Sequence, residues 1–175
     1  DILMAKYLIS KRIIWKEFPT NWIIRRLKSR DDWFNIWQSR MIMPILPPPE
    51  WQKYFPVSLI SDNWQKNIWN PYIQKWWEKE WQNTLASFLV SRGRSYMGCM
   101  TRPMDGQEYS SRISPYLTYG CLSLKQVVHM TWARIHDLKG KWEKNFLRSL
   151  QEFHARLYWQ SHFIQKFEDE PRFEY

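Results

Sequence analysis

The chain has 175 residues, 44% of them hydrophobic, enough to fill a core, which excludes disorder for the bulk of it. Its 26 Lys and Arg against 17 Asp and Glu leave a net charge of +9, a balance that favours polyanionic partners such as nucleic acid or an acidic membrane. No apolar run approaches the roughly 18 residues that cross a bilayer, and Asp1 to Tyr7 lack the charged-then-apolar layout of a signal peptide, so the expectation is a soluble, cytoplasmic protein.

Ala5 to Ile9 reads as the end of a helix, and Arg12 to Phe18 as a β-rich run closed by Pro19-Thr20-Asn21, the pattern of the tail of an α/β unit. After the basic run Arg25 to Arg30, Asp31-Asp32 offers an N-cap to a helix that carries Trp33, Ile36, Trp37 and Met41 on one face and stops at Pro44. Pro47-Pro48-Pro49 cannot continue a helix and marks a linker, so the chain divides into residues 1–46, a Pro-rich linker at 47–75 and a helical part at 76–175. In that last part Leu85, Phe88 and Leu89 have helical spacing ahead of Gly93, which suits a C′ position. Ser123-Leu124-Lys125-Gln126 fits a capping box for a helix with Leu124, Val127, Thr131, Ile135 and Leu138 on one face and Gly140 past its end. A longer helix follows, whose predicted buried face is Trp142, Phe146, Leu150, Phe153, Leu157, Ile164 and Phe167. The fold class is therefore mainly α.

Most chemistry can be set aside on spacing. His129, His136, His154 and His162 never fall three or four apart and lack carboxylates at ligand spacing, so no metal site is expected. Cys99 and Cys121 are too few and too far apart for a disulfide framework or a thiolate zinc site, which leaves two free thiols as the expectation. Gly93 and Gly98 make no dinucleotide fingerprint, no phosphate loop ends in Gly-Lys-Ser/Thr, and Ser114 lacks the Gly-x-Ser-x-Gly setting of a hydrolase nucleophile. What remains is Ser110-Ser111-Arg112-Ile113-Ser114, three hydroxyls and an Arg in five residues ahead of an apolar turn. Such a segment can offer donors to a phosphate, or it can be an ordinary Ser-rich helix cap. The basic run at Arg25 to Arg30 can likewise neutralise nucleic-acid phosphates or form a solvated face at a helix start.

The string Ser-Ser-Arg-Ile-Ser-Pro-Tyr-Leu-Thr-Tyr-Gly-Cys-Leu-Ser at 110–123 closely resembles the flavin-phosphate segment of the photolyase/cryptochrome family. Asn21 through Met41 resembles the close of that family's α/β antenna domain in a bacterial branch, and Arg156 to Glu168 resembles its central helix beside flavin and DNA. The resemblance covers nearly the whole chain. It implies the tail of a Rossmann-like α/β antenna domain at 1–46, followed after the linker by the first half of a helical FAD-binding domain. It further implies a fragment of a blue-light flavoprotein, a deoxyribodipyrimidine photolyase in which excited reduced FAD passes an electron to a cyclobutane pyrimidine dimer in UV-damaged DNA and receives it back on splitting. A second antenna chromophore and a monomeric state go with it, and a cryptochrome-type photoreceptor without repair is the alternative within the family. Outside the family, a helical interaction protein that binds no flavin is the other reading.

By position in the matching motif, Ser110, Ser111, Arg112, Ile113 and Ser114 would contact the FAD phosphates, and Tyr96 matches the upstream flavin-contacting Tyr, over a longer interval than usual. Trp159 and Gln160 fall near the family's DNA-facing Trp-Arg-Glu segment, whose Arg-Glu pair is absent here. The resemblance assigns no catalytic residue to this chain and places further flavin contacts beyond Tyr175, so the chain alone is expected to bind FAD weakly or not at all.

Thirteen Trp against five Gly reverses the usual order of abundance. Trp22 and the pair Trp76-Trp77 stand where the matching branch carries Gly, with Trp64, Trp69 and Trp81 as further cases, whereas Trp15, Trp33, Trp37 and Trp159 fit aromatic positions. Loop glycines there serve positive φ or close backbone approach, which an indole cannot supply. The expectation is a UGA codon read as glycine by the organism and rendered here as tryptophan; UGG codons at these positions would end that reading. A genuine aromatic patch around Lys75 to Trp81, fit for a partner or for base stacking, is the alternative.

Overall fold

A computed structural model describes residues 2–14, 23–25, 27–47 and 78–170, and these are mainly helical, with no strand among them. The helices are α1 (Ile2–Ser10), α2 (Trp33–Ile42), α3 (Glu78–Val90), α4 (Tyr96–Cys99), α5 (Pro103–Tyr109), α6 (Ser114–Thr118), α7 (Leu124–Leu138) and α8 (Lys144–Asp169), with a 3₁₀ turn at Arg92–Ser95. Arg12 to Ile14, the start of the expected strand, follow α1 without forming one, and Arg12 adopts a φ of 56° there. The rest of that run, most of the Pro-rich linker, and Trp15, Trp22, Trp64, Trp69, Trp76 and Trp77 lie outside the described residues.

α7 and α8 pack against each other and form the frame. Ser123 caps α7 as its spacing predicts: its Oγ accepts from the Gln126 backbone N–H at 3.1 Å, while the Gln126 Oε1 accepts from the Ser123 N–H at 2.9 Å. Beyond Leu138 the chain reverses at Gly140, whose φ of +81° is one that side chains resist. Val127, Thr131 and Leu138 of α7 and Phe146, Leu150, Phe153 and Leu157 of α8 are buried, as periodicity predicts. Val128 is buried beside them and widens the α7 face.

α2 lies in the same core. Trp33, Trp37 and Met41 are fully buried, the Trp37 indole N–H donates to the Ser161 hydroxyl at 3.1 Å, and the His129 Nε2–H donates to the Met41 carbonyl at 2.5 Å. The helix before the Pro-rich run and those after it thus share one hydrophobic cluster. Asp32 stands at the N-cap position of α2 but its side chain makes no capping bond; its φ of −91° and ψ of 9° lie outside the extended conformation from which a cap side chain reaches the second or third helical N–H. The short segment at Ile24 is tied to α8 by Gln165, whose Oε1 accepts from the Ile24 N–H at 2.8 Å and whose Nε2 donates to its carbonyl at 2.9 Å.

Three further expectations are corrected. Gly93 is not a positive-φ C′ residue of α3: it sits buried in the 3₁₀ turn, where a Cβ would lie 2.7 Å from the Phe88 carbonyl oxygen and 3.3 Å from the Phe146 ring, so close approach is what requires glycine. Trp142 is not on the buried face of the last helix. α8 begins after it, and the reversal at Gly140 leaves its side chain 88% exposed. Phe167, well past Leu157, the last buried apolar residue of α8, is also exposed, because nothing among the described residues covers that face. Trp81 takes a core position in α3 at 6% exposure, with its indole N–H unpaired.

Candidate functional site

The site is built where the 3₁₀ turn, α4, α5 and α8 meet. Tyr96 opens α4, its ring edge-on to Phe88 at 5.4 Å and to Phe153 at 5.7 Å between centroids, so it packs half-buried against the core. Burial pushes the Tyr96 hydroxyl above its ordinary pKa, opposed by the Arg156 cation and assisted by Glu152, so the phenol stays a neutral hydrogen-bonding group. A cavity of about 380 Å³ lies beside it, lined by Tyr96, Cys99, Met100, Tyr109, Ser110 and Arg156 among others. Two residues singled out from sequence, Tyr96 and Ser110, therefore share one cavity.

Arg92 fixes the start of the serine segment. Its Nη1 donates to the carbonyls of Ser110 at 2.6 Å and Glu108 at 3.1 Å, its Nη2 to the Thr84 carbonyl at 2.9 Å, and its Nε to the Ser87 hydroxyl at 3.0 Å. One planar guanidinium thereby ties the C-terminal half of α3 and the last turn of α5 to Ser110. Burial lowers its pKa and the nearby Arg112 cation lowers it further, so two guanidinium groups approach each other at the segment.

Arg112 adopts a φ of 56°, one of two non-glycine residues with positive φ among the described residues. That left-handed conformation is uncommon for a side chain of this size and turns the backbone sharply at the middle of the segment. Ser110, Ser111 and Arg112 are half-buried around the turn. Ile113 is 3% exposed and belongs to the core, so it anchors the segment and offers a ligand only its main chain. Ser114 is exposed and starts α6, and the buried Tyr116 holds that short helix down, its carbonyl accepting from the Leu122 N–H at 3.1 Å.

α8 carries the site outward. Arg156 lines the cavity, and Trp159 and Gln160, three and four residues on, lie exposed on the next turn of the same helix. Trp159 is 45% exposed and packs edge-on to His162 at 5.3 Å and against Phe163 at 5.8 Å. Trp159, Phe163 and Phe167 form an exposed aromatic stripe at four-residue spacing. At the end of the helix Glu168 and Glu170 pair with Arg25 and Arg30, so the basic run is partly neutralised and bound to α8.

Arg92, Arg156, Cys99 and Tyr109 are the site residues that sequence reading missed. Arg156 falls within the stretch that resembles the family's central helix, and its place one turn before Trp159 is the signal that could have found it; Arg92 bonds main-chain carbonyls and leaves no spacing pattern. Cys99 and Cys121 are free cysteines. Among the described residues no group of three His, Cys, Asp or Glu side chains is placed to hold a metal ion, and no helix is long and apolar enough to cross a membrane. Comparison with models of known protein families, with curated proteins and with solved structures finds no match to this chain.

Proposed function

We propose that the cavity beside Tyr96 and the segment Ser110 to Ser114 form part of the FAD site of a photolyase- or cryptochrome-type flavoprotein acting on UV-damaged DNA. The observation that carries this reading is the convergence of Tyr96, Ser110 and Arg156 on one cavity, next to the sharply turned Arg112. The donor set suits a dinucleotide: hydroxyls at Ser110 and Ser111 and the Arg112 guanidinium match phosphate oxygens, and the apolar and aromatic lining at Met100, Tyr96 and Tyr109 matches a flat ring system. Arg92 keeps the segment in place, and Ile113 locks it to the core. When bound, the flavin would supply light-driven one-electron chemistry, and the protein's share is to bind it, orient it and present Trp159 and Gln160 toward DNA.

The test is to express the complete gene product, record its absorption spectrum and measure blue-light repair of dimer-containing DNA. Bound flavin with repair is the expected result. Bound flavin without repair moves the assignment to a photoreceptor. No flavin, in a protein whose circular dichroism is helical, removes the flavin reading and leaves a helical interaction protein. Arg112→Glu, which places a carboxylate at the phosphate segment, should lower flavin affinity by at least about tenfold.

A further inference from the structure

A different surface carries a second inference. Between α7 and α8 the chain runs Lys139-Gly140-Lys141-Trp142-Glu143-Lys144, and the Trp142 indole stands 88% exposed there, the most exposed tryptophan among the described residues. An indole so exposed offers a flat π-face on which another ring can stack. The turn holds a defined shape: Gly140 supplies the reversal at φ +81°, the Lys141 N–H donates to the Leu138 carbonyl at 3.1 Å, and the Lys144 N–H to the Trp142 carbonyl at 2.8 Å. Trp142 borders a cleft of about 480 Å³ lined also by Arg94, Glu143, Lys144, Asn145 and Phe146. Arg94 pairs with Glu143 and lies over the Phe146 ring at 4.7 Å, so the one carboxylate in the cleft is neutralised. Lys139, Lys141 and Lys144 are all exposed on this turn.

We propose that this turn binds single-stranded nucleic acid, with a base stacked on Trp142 at the cleft and the flanking phosphates held by Lys139, Lys141 and Lys144. Stacking on an exposed indole beside cations is the recognition that single strands use, since every base offers a π-face and every linkage a charge. Charge complementarity fits a polyanion: three lysines stand unopposed by Glu143, on a chain of net charge +9. The concave cleft with a polar wall at Asn145 and Glu143 favours an inserted planar base over an anionic membrane, which would meet one apolar side chain and a desolvated carboxylate. This surface is separate from the cavity at Tyr96 and uses none of its residues.

The experiment is fluorescence anisotropy of a labelled, undamaged thymidine oligonucleotide with the whole chain, in the dark and without flavin, so that its outcome is independent of the flavin reading. Trp142→Ala should weaken binding about tenfold or more while Trp142→Phe retains most of it. Lys139→Gln with Lys141→Gln and Lys144→Gln should flatten the dependence of log affinity on log salt by about 2. Inorganic polyphosphate, which has no base, should bind Trp142→Ala and the parent chain alike. Oligonucleotide affinity unchanged in Trp142→Ala, with circular dichroism showing the same helicity, overturns the proposal. So does a Trp142 dependence seen only with phosphatidylserine vesicles, or one of equal size with polyphosphate.

Discussion

The indole N–H of Trp132 donates to Nε2 of His154 at 2.9 Å, joining α7 to α8. An indole nitrogen can only donate, so the receiving Nε2 carries no proton and His154 is neutral. The His154 ring also packs edge-on to Trp37 of α2 at 5.6 Å, which places it at the seam of three helices. Burial holds its pKa below the ordinary histidine value. The folded-state pKa is the lower of the two, so stability is complete above about pH 6.5, the unfolded value, and falls as acidification protonates the unfolded chain first. His162 contributes in the same direction, through burial and the nearby Arg30 and Lys166 cations. Urea unfolding should show a midpoint that falls from about pH 7.5 to about pH 5.5. His154→Gln, whose amide oxygen can accept the Trp132 bond without titrating, should flatten the curve and leave the residual slope of His162. A slope unchanged in His154→Gln would contradict the assignment.

Gly93 and Gly98 lie five residues apart and should respond oppositely to alanine. A Cβ at Gly93 meets the Phe88 backbone oxygen at 2.7 Å, which cannot swing aside, so Gly93→Ala should cost about 1–3 kcal/mol of unfolding free energy. A Cβ at Gly98 meets nothing within 4 Å, and Gly98→Ala should be neutral or stabilise by up to about 1 kcal/mol. Thermal or urea unfolding of the two variants checks the pair.

Arg92→Ala removes a cation bonded to three main-chain carbonyls and one hydroxyl and should destabilise by about 2–3 kcal/mol. Hydrogen exchange should quicken at Ser110 to Arg112 more than along α7, because Arg92 holds that segment and touches α7 through none of these bonds. Arg92→Lys should recover only a part, since a single ammonium cannot span all four acceptors.

Trp81 separates two histories of this sequence. As a tryptophan it fills the core, and Trp81→Gly should then cost about 4–6 kcal/mol, from the cavity and from glycine in a helix interior. Trp81→Phe, which removes the unpaired buried N–H, should stay within about 1.5 kcal/mol of the parent. If the organism inserts glycine at this position, the Trp81→Gly variant is instead at least as stable as the tryptophan form. Equilibrium unfolding of both, beside the codon itself, decides.

What was legible in the sequence follows from what leaves a periodic or local trace. α7 could be read from both ends because its capping box and Gly140 act within three residues of themselves. The buried residues of α8 from Phe146 to Leu157 follow helical spacing because one stripe meets one core. The stripe misled at its ends, where Trp142 lies before the helix and Phe167 has no described element over it, since apolar spacing continues whether or not a partner is there. Resemblance points to Tyr96 and the run of hydroxyls around Arg112 points to Ser110, but that they line one cavity depends on the 3₁₀ turn at Arg92–Ser95, which no periodicity announces. Asp32 shows the converse, a residue of capping type whose backbone, at φ −91° and ψ 9°, does not take the extended conformation that side-chain capping uses.

The pair of hydrogen bonds between Gln165 and the main chain of Ile24, one in each direction, joins residues 141 positions apart. During synthesis the Ile24 segment leaves the ribosome long before Gln165 exists, and at about 5–20 residues per second the wait is on the order of 10 s. For that interval the main chain at Ile24 must stay bonded to water, and closing so long a loop comes after the local helices have formed. Docking of this segment onto α8 is thus a late event, and a chain stalled or cut before Gln165 would present it unpaired to chaperones and proteases.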